Sequence, residues 1–166
     1  LAQNYNNKPK LEKFSEIKIP FLWIPGNNDF GRSYYHLRAA APSLEGKIIQ
    51  IGKNKFTGVG GSPASWAGQY AGENIIDKNE IGGTIFVSHV PPPGVHNYSK
   101  IDQKIFPPKK SFQDAPLVHI CGHLHHQWGI AFLGQTKIIK LPSINLGIYA
   151  ILELPSLSVE FKDLYE

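Results

Sequence analysis

Three times along this chain a short apolar, β-rich run passes straight into a turn loaded with chemistry-bearing side chains. "IKIPFLWIP" leads into "GNND" (Gly26 to Asp29), "GTIFVSH" into "VPPPG", and "PLVHICGH" into "LHHQW". Runs of this length and composition, bounded by Gly and Pro, predict strands buried in a sheet. Ligands collect beyond the carboxyl ends of such strands, because the loops there converge while the strands fix their origins. Asn27, His89, His123 and His125 are therefore expected to meet.

The rest of the chain predicts a scaffold for that meeting. "KIIQIG" and "KFTGVG" read as two short strands in a hairpin around Lys53 and Asn54, and "SYYHLRAAAP" as two or three helical turns closed by Pro42. "GGSPASWAGQYAGE" reads as a lid or rim. "GIAFLG", "TKIIKLP", "GIYAILEL" and "LSVEFKDL" follow at close spacing and predict antiparallel hairpins. No repeat, linker or low-complexity tract divides residues 1–166. One α/β domain is expected, with two layers of mixed sheet packed face to face and helices outside.

Composition removes several function classes. A chain of 166 residues buries about two thirds of its unfolded surface, so neither a disulfide nor a structural metal is needed to hold it together. The lone Cys121 has no internal partner, and within "VHICGH" it reads as a small buried residue rather than a thiol catalyst. No apolar run reaches membrane-spanning length and no signal-peptide pattern opens the chain, which predicts a cytoplasmic protein with no membrane partner. The net charge of +4 comes from scattered Lys and Arg, with Lys109 and Lys110 the densest pair; nucleic-acid binding is left open. The absence of any Met and the start at Leu1 lead us to expect a fragment.

Three of the seven histidines, His123, His125 and His126, crowd one short stretch. Imidazole nitrogen and amide oxygen suit a borderline divalent ion such as Mn, Fe, Zn or Ni. The i, i+2 spacing of His123 and His125 is too tight for one helix face, yet a tight loop after a strand can aim both rings into one cavity. The bland reading is that "HLHH" is a solvated loop, that "GNND" is ordinary turn chemistry, and that "SHVPPP" is a Pro-stiffened connection.

In their order, "GNND", "SHVPPP" and "GHLH" resemble the later motifs of the calcineurin-like metallophosphoesterases, written GNH[DE], Gly/Ser/Thr-His and GHxH. "FTGVGGS" and "LPSINLGIYAILEL" look most like the small prokaryotic Icc-type, cyclic-nucleotide-phosphodiesterase-like branch. The resemblance implies a four-layer αββα sandwich with a two-metal site at the sheet edge. Asn27, His89 and His123 would hold the second ion and His125 the first. It also implies phosphodiester hydrolysis of a small phosphoester or nucleotide, with a hydroxide bridging two ions attacking phosphorus in line.

Two departures qualify that resemblance. The family's opening motifs, DxH and GDxxx, have no counterpart before Gly26, so about half the cage is expected here, in a C-terminal part of the domain. Asn28 stands where the family often carries a His that protonates the leaving group. An amide has no useful pKa, so no catalytic residue is assigned, and good leaving groups or proton delivery from water are favoured. The rivals are a catalytically silent interaction module on the same fold and a single structural Zn beneath "GHLHH".

Neighbouring residues receive quieter roles. Asp29 is expected to brace the "GNND" turn, His126 to lie at the rim, and His119 to pack inside a strand. His96 and Asp102 follow the Pro-rich loop on the substrate side, and Trp66 and Tyr70 are candidates either for stacking on a nucleobase or for covering the core.

Overall fold

The computed structural model describes residues 16, 18–29, 38–39, 41–61, 81–92, 95 and 115–166. Strands outweigh helices among them. β1 (Ile48–Ile51) and β2 (Asn54–Val59) form an antiparallel hairpin whose turn uses Gly52 at φ 60°. β3 (Ile85–Ser88) and β4 (Val118–Cys121) add in parallel. β5 (Gly129–Leu133) and β6 (Thr136–Lys140) are an antiparallel hairpin, and β6 lies parallel to β4. The sheet order is β1-β2-β3-β4-β6-β5. A 3₁₀ turn (Ile144–Leu146) leads to a separate two-stranded antiparallel sheet, β7 (Ile148–Leu152) and β8 (Val159–Asp163). The architecture is thus mixed α/β with a six-stranded mixed sheet.

Strand alternation divides the six-stranded sheet into two faces. One carries Ile85, Val118 and Ile139, all almost fully buried, against which Leu152, Val159 and Phe161 of the β7–β8 hairpin pack. The other carries Thr57, Phe86, Ser88, His119, Cys121 and Ile138, every one buried. β3 and β4 show the short, nearly continuous burial expected of parallel strands. β7 instead alternates half-buried and exposed positions, as a strand with one wet face should.

The apolar run before "GNND" forms less strand than its composition predicts. Among the described residues its ladder contact is one parallel bridge, Trp23 with Ser43, reinforced by Leu44 N–H to Trp23 O at 2.9 Å. Pro20 and Pro25 bracket the run and contribute no amide donor, so pairing cannot extend through either end. Of "SYYHLRAAAP", Arg38 and Ala39 are described and helical. The Gly-rich stretch with Trp66 and Tyr70, and the segment with His96, Asp102, Lys109 and Lys110, lie outside the described residues.

What matters for the site is that the strand ends are level. Val59, Ser88, Cys121, Lys140 and Gly129 occupy one row across β2, β3, β4, β6 and β5. The ladder continues one step further, with His89 N–H to Val59 O, Gly122 N–H to His89 O, and Leu141 N–H to Cys121 O. Gly61 N–H to Pro25 O, at 2.9 Å, ties the "GNND" turn to the same edge.

Candidate metal centre

Three side chains from three of these chain reversals meet at that edge. His89 Nε2 lies 2.8 Å from Asn27 Oδ1 and 3.0 Å from His123 Nδ1. The two imidazoles stand edge to face, centroids 4.9 Å apart and planes at 79°. Asn27 is buried at 8% exposure, while His89 and His123 are half-buried.

Local geometry delivers each group. The Asp29 carboxylate accepts the Gly26 N–H at 2.7 Å and Asp29 N–H returns to Gly26 O, locking the turn that presents Asn27. A Cβ on Gly26 would sit 3.1 Å from both Asp29 Oδ2 and His89 Cε1, so a larger residue there would push the imidazole or the carboxylate back by a few tenths of an ångström. His123 adopts φ 67°, a left-handed conformation uncommon for a residue with a side chain. Leu124 N–H bonds Gly122 O at 2.9 Å, closing a positive-φ γ-turn around His123, a strained form that costs on the order of 1–3 kcal/mol. That strain swings His123 back over β3 instead of letting the chain run on.

His89 Nε2 is shared between two contacts. Asn27 Oδ1 can only accept, so Nε2 must carry the proton to satisfy it. If Nε2 is protonated, no lone pair remains there for an N–H from His123 Nδ1, and its one proton can aim fully at only one of two acceptors. Turning the amide over merely moves the conflict, since two donors would then crowd one lone pair. Imidazole nitrogen and amide oxygen are donor atoms that would suit a borderline divalent ion.

The electrostatics agree with that use. Burial, reinforced by charge repulsion from His123 and then His125, pushes the His89 pKa down to about 4. His89 is therefore neutral at physiological pH, the form in which imidazole ligates metal. His125 is exposed and stands outside the trio's hydrogen bonds, although its charge is felt at His89. Its backbone carbonyl accepts Ser143 N–H at 2.9 Å, pinning the loop. Asn28 and His126 are exposed. Among the described residues no three His, Cys, Asp or Glu side chains lie together as a ready metal cage; the gathered donors are two imidazoles and an amide.

Behind the site lies a buried pair, Ser88 and His119; of these, the sequence predicts only that His119 packs inside a strand. Ser88 Oγ donates to Val90 O at 2.5 Å, and His119 Nε2 lies 2.6 Å from the same hydroxyl. Because the single hydroxyl proton is committed to Val90, His119 donates Nε2–H to Ser88. His119 also meets Phe86 edge to face at 4.9 Å, and burial pushes its pKa down to about 3. The pair clamps the backbone on both sides of His89. A Ser immediately before a candidate ligand was the available signal. Cys121 is 2% exposed, with burial pushing its thiol up to about 12 despite Lys140, so it is no nucleophile.

No protein-family model and no curated protein matches the sequence. Solved structures do share its fold. One superposes with a TM-score of 0.64 at 16% identity, over 94% of this chain and 70% of its own. The crystal structure of TT1561 of Thermus thermophilus superposes with a TM-score of 0.61 at 14% identity, over 93% of this chain and 76% of its own. At such identities the likeness is one of fold alone. No helix among the described residues is long and apolar enough to cross a membrane.

Proposed function

We propose that this chain binds a divalent metal ion (Mn, Fe, Zn or Ni) through Asn27, His89 and His123, and that it belongs to a metal-dependent phosphoesterase acting on small phosphodiesters or nucleotides. The observation that carries the reading is that His89 Nε2 lies 2.8 Å from Asn27 Oδ1 and 3.0 Å from His123 Nδ1, which brings an amide and two imidazoles from three separate loops together. The resemblance of "GNND", "SHVPPP" and "GHLH" to calcineurin-like metallophosphoesterases supplies the chemistry. The four-layer αββα sandwich belongs to the same proposal, with the six-stranded sheet and the β7–β8 hairpin as its inner layers.

A bound divalent ion would polarise a phosphoryl oxygen and acidify a water for in-line attack. The chain's own residues do the rest: neutral imidazoles and an amide oxygen hold the ion, Asp29 fixes the turn beneath Asn27, and the Ser88–His119 clamp fixes His89. Asn28, exposed on that turn, has no proton to give a leaving group, so the reading favours esters whose leaving group departs unaided.

The absence of a three-residue His, Cys, Asp or Glu cage among the described residues favours one rival, a silent interaction module on the same fold. Calorimetric titration with Mn²⁺ and Zn²⁺, followed by assay on bis(p-nitrophenyl) phosphate with the full-length protein, separates the two. Stoichiometric binding with turnover is expected; no binding at millimolar ion sinks the phosphoesterase reading.

A further inference from the structure

The opposite end of the six-stranded sheet holds a cavity of about 370 Å³, which falls in the size range of small-molecule sites. It reaches the first residue of β3, Ile85, four positions or about 13 Å along the strand from His89. The β1–β2 turn, the entry to β3 and the β7–β8 connection enclose it, and the lining divides by chemistry between them. Lys53 and Lys55 come from the first, while Ile85, Leu117, Leu154 and Leu157 come from the other two and from the entry to β4. No Asp or Glu lines it.

The apolar wall is set by the backbone. Leu157 adopts φ 56°, an unusual conformation for a residue of its bulk. It is held there by its own N–H, bonded to Glu153 O at 2.9 Å, and by the Lys137 ammonium, which donates to Leu157 O. Leu154 and Leu157 rest on the cluster of Ile85, Val118 and Ile139, yet Leu117 beside them stays 50% exposed. A Cβ on Gly83, in the turn before β3, would meet nothing within 4 Å, which leaves room for entry. The positive charge at the other wall is also uncommitted: among the described residues neither Lys53 nor Lys55 is in an ion pair. The carboxylate of the β7–β8 connection, Glu153, instead accepts from the Ser156 and Ser158 hydroxyls at 3.0 and 2.7 Å.

We infer that this cavity is a second binding site, separate from the candidate metal centre, and that it takes a small carboxylate with an apolar body. The charge sits at Lys53 and Lys55, and the body lies against Leu117, Leu154 and Leu157, where burial of apolar surface and charge pairing add. The two sites share no residue, so this one stands or falls independently of the metal reading.

The test is calorimetric titration of the full-length protein with octanoate and with octan-1-ol, whose apolar bodies match and whose charges differ. Octanoate is expected to bind at one equivalent and about five-fold tighter than the alcohol, a preference of the size that exposed ion pairs supply and one that salt should shrink. The double variant Lys53→Gln/Lys55→Gln, at exposed positions, should remove the preference and leave octanol affinity unchanged. Leu117→Asp should weaken both ligands about ten-fold with an unchanged urea midpoint. Absence of saturable binding, equal affinities in the wild type, or a preference that survives the double lysine variant overturns the inference. Octanoate binding that His89→Ala abolishes places the carboxylate at the candidate metal centre and overturns it as well.

Discussion

Ser88 and His89 are neighbours in sequence, yet each leads to a different kind of polar cluster on opposite faces of the same sheet. On one face, Ser88 and His119 form a closed set: one hydroxyl proton goes to Val90 O, one imidazole proton goes to Ser88 Oγ, and both side chains are nearly sealed from water. At the edge, Asn27, His89 and His123 are drawn nearly as close, but a single His89 Nε2 proton is shared between two contacts. The first is what a buried histidine looks like when it serves the fold. The second is the arrangement for which a divalent ion is proposed above, and a strained γ-turn holds His123 in place.

That contrast can be broken most forcefully at the ion. On the proposed metal reading, His89→Ala is expected to lower Mn²⁺ or Zn²⁺ affinity at least about 100-fold, because a proposed direct ligand is lost, whereas His119→Gln should cost about ten-fold or less through looser aim of His89. Calorimetry on both variants compares them directly; equal losses would erase the distinction. Stability should rank them the other way. His119→Ala removes a buried ring and the donor to Ser88, and about 2–4 kcal/mol is expected from urea unfolding, while His89→Ala should cost less than about 1 kcal/mol.

Acid sharpens the comparison further. The His119 pKa lies near 3 in the folded state against an ordinary 6.5, so between those values the unfolded chain takes up a proton that the folded chain refuses. Stability must then fall as pH drops through that window, by about 1.4 kcal/mol per pH unit for each such histidine. His89, held near 4, adds a slope of the same sign. His119→Gln should flatten the urea-midpoint profile below pH 6.5, and an unchanged slope would show that His119 is not neutral in the fold. The smallest effect belongs to the γ-turn: His123→Gly should raise stability by about 0.5–1 kcal/mol while weakening the ion, a gain and a loss that unfolding and titration read separately.

Much of this scaffold is legible in the amino-acid order because the information is local. β3 to β7 are short runs rich in apolar residues and bounded by Gly or Pro, and the hairpins β5–β6 and β7–β8 follow from their short turns. The parallel contact of β4 with β6 is a choice among non-neighbours that no local pattern encodes. The sequence flags Ser88 only by its place before His89; its bond to His119 depends on Phe86 falling opposite His119 in the β3–β4 register. At the site, Asn27, His89 and His123 were approachable from strand ends alone. His125 reads identically in sequence, yet the γ-turn at His123 leaves it exposed, because a two-residue spacing does not say which way a loop will close.

The three donors that meet at the sheet edge enter the chain at widely separated points, residues 27, 89 and 123. Whatever occupies their common point would fasten together a loop of roughly a hundred residues, the length at which a cross-link restricts an unfolded chain strongly. Occupancy should therefore register far from the site, as slower global opening and greater resistance to proteolysis. In that sense the edge cluster would also be a clasp, and the fold would be tightest if the proposed ion is in place.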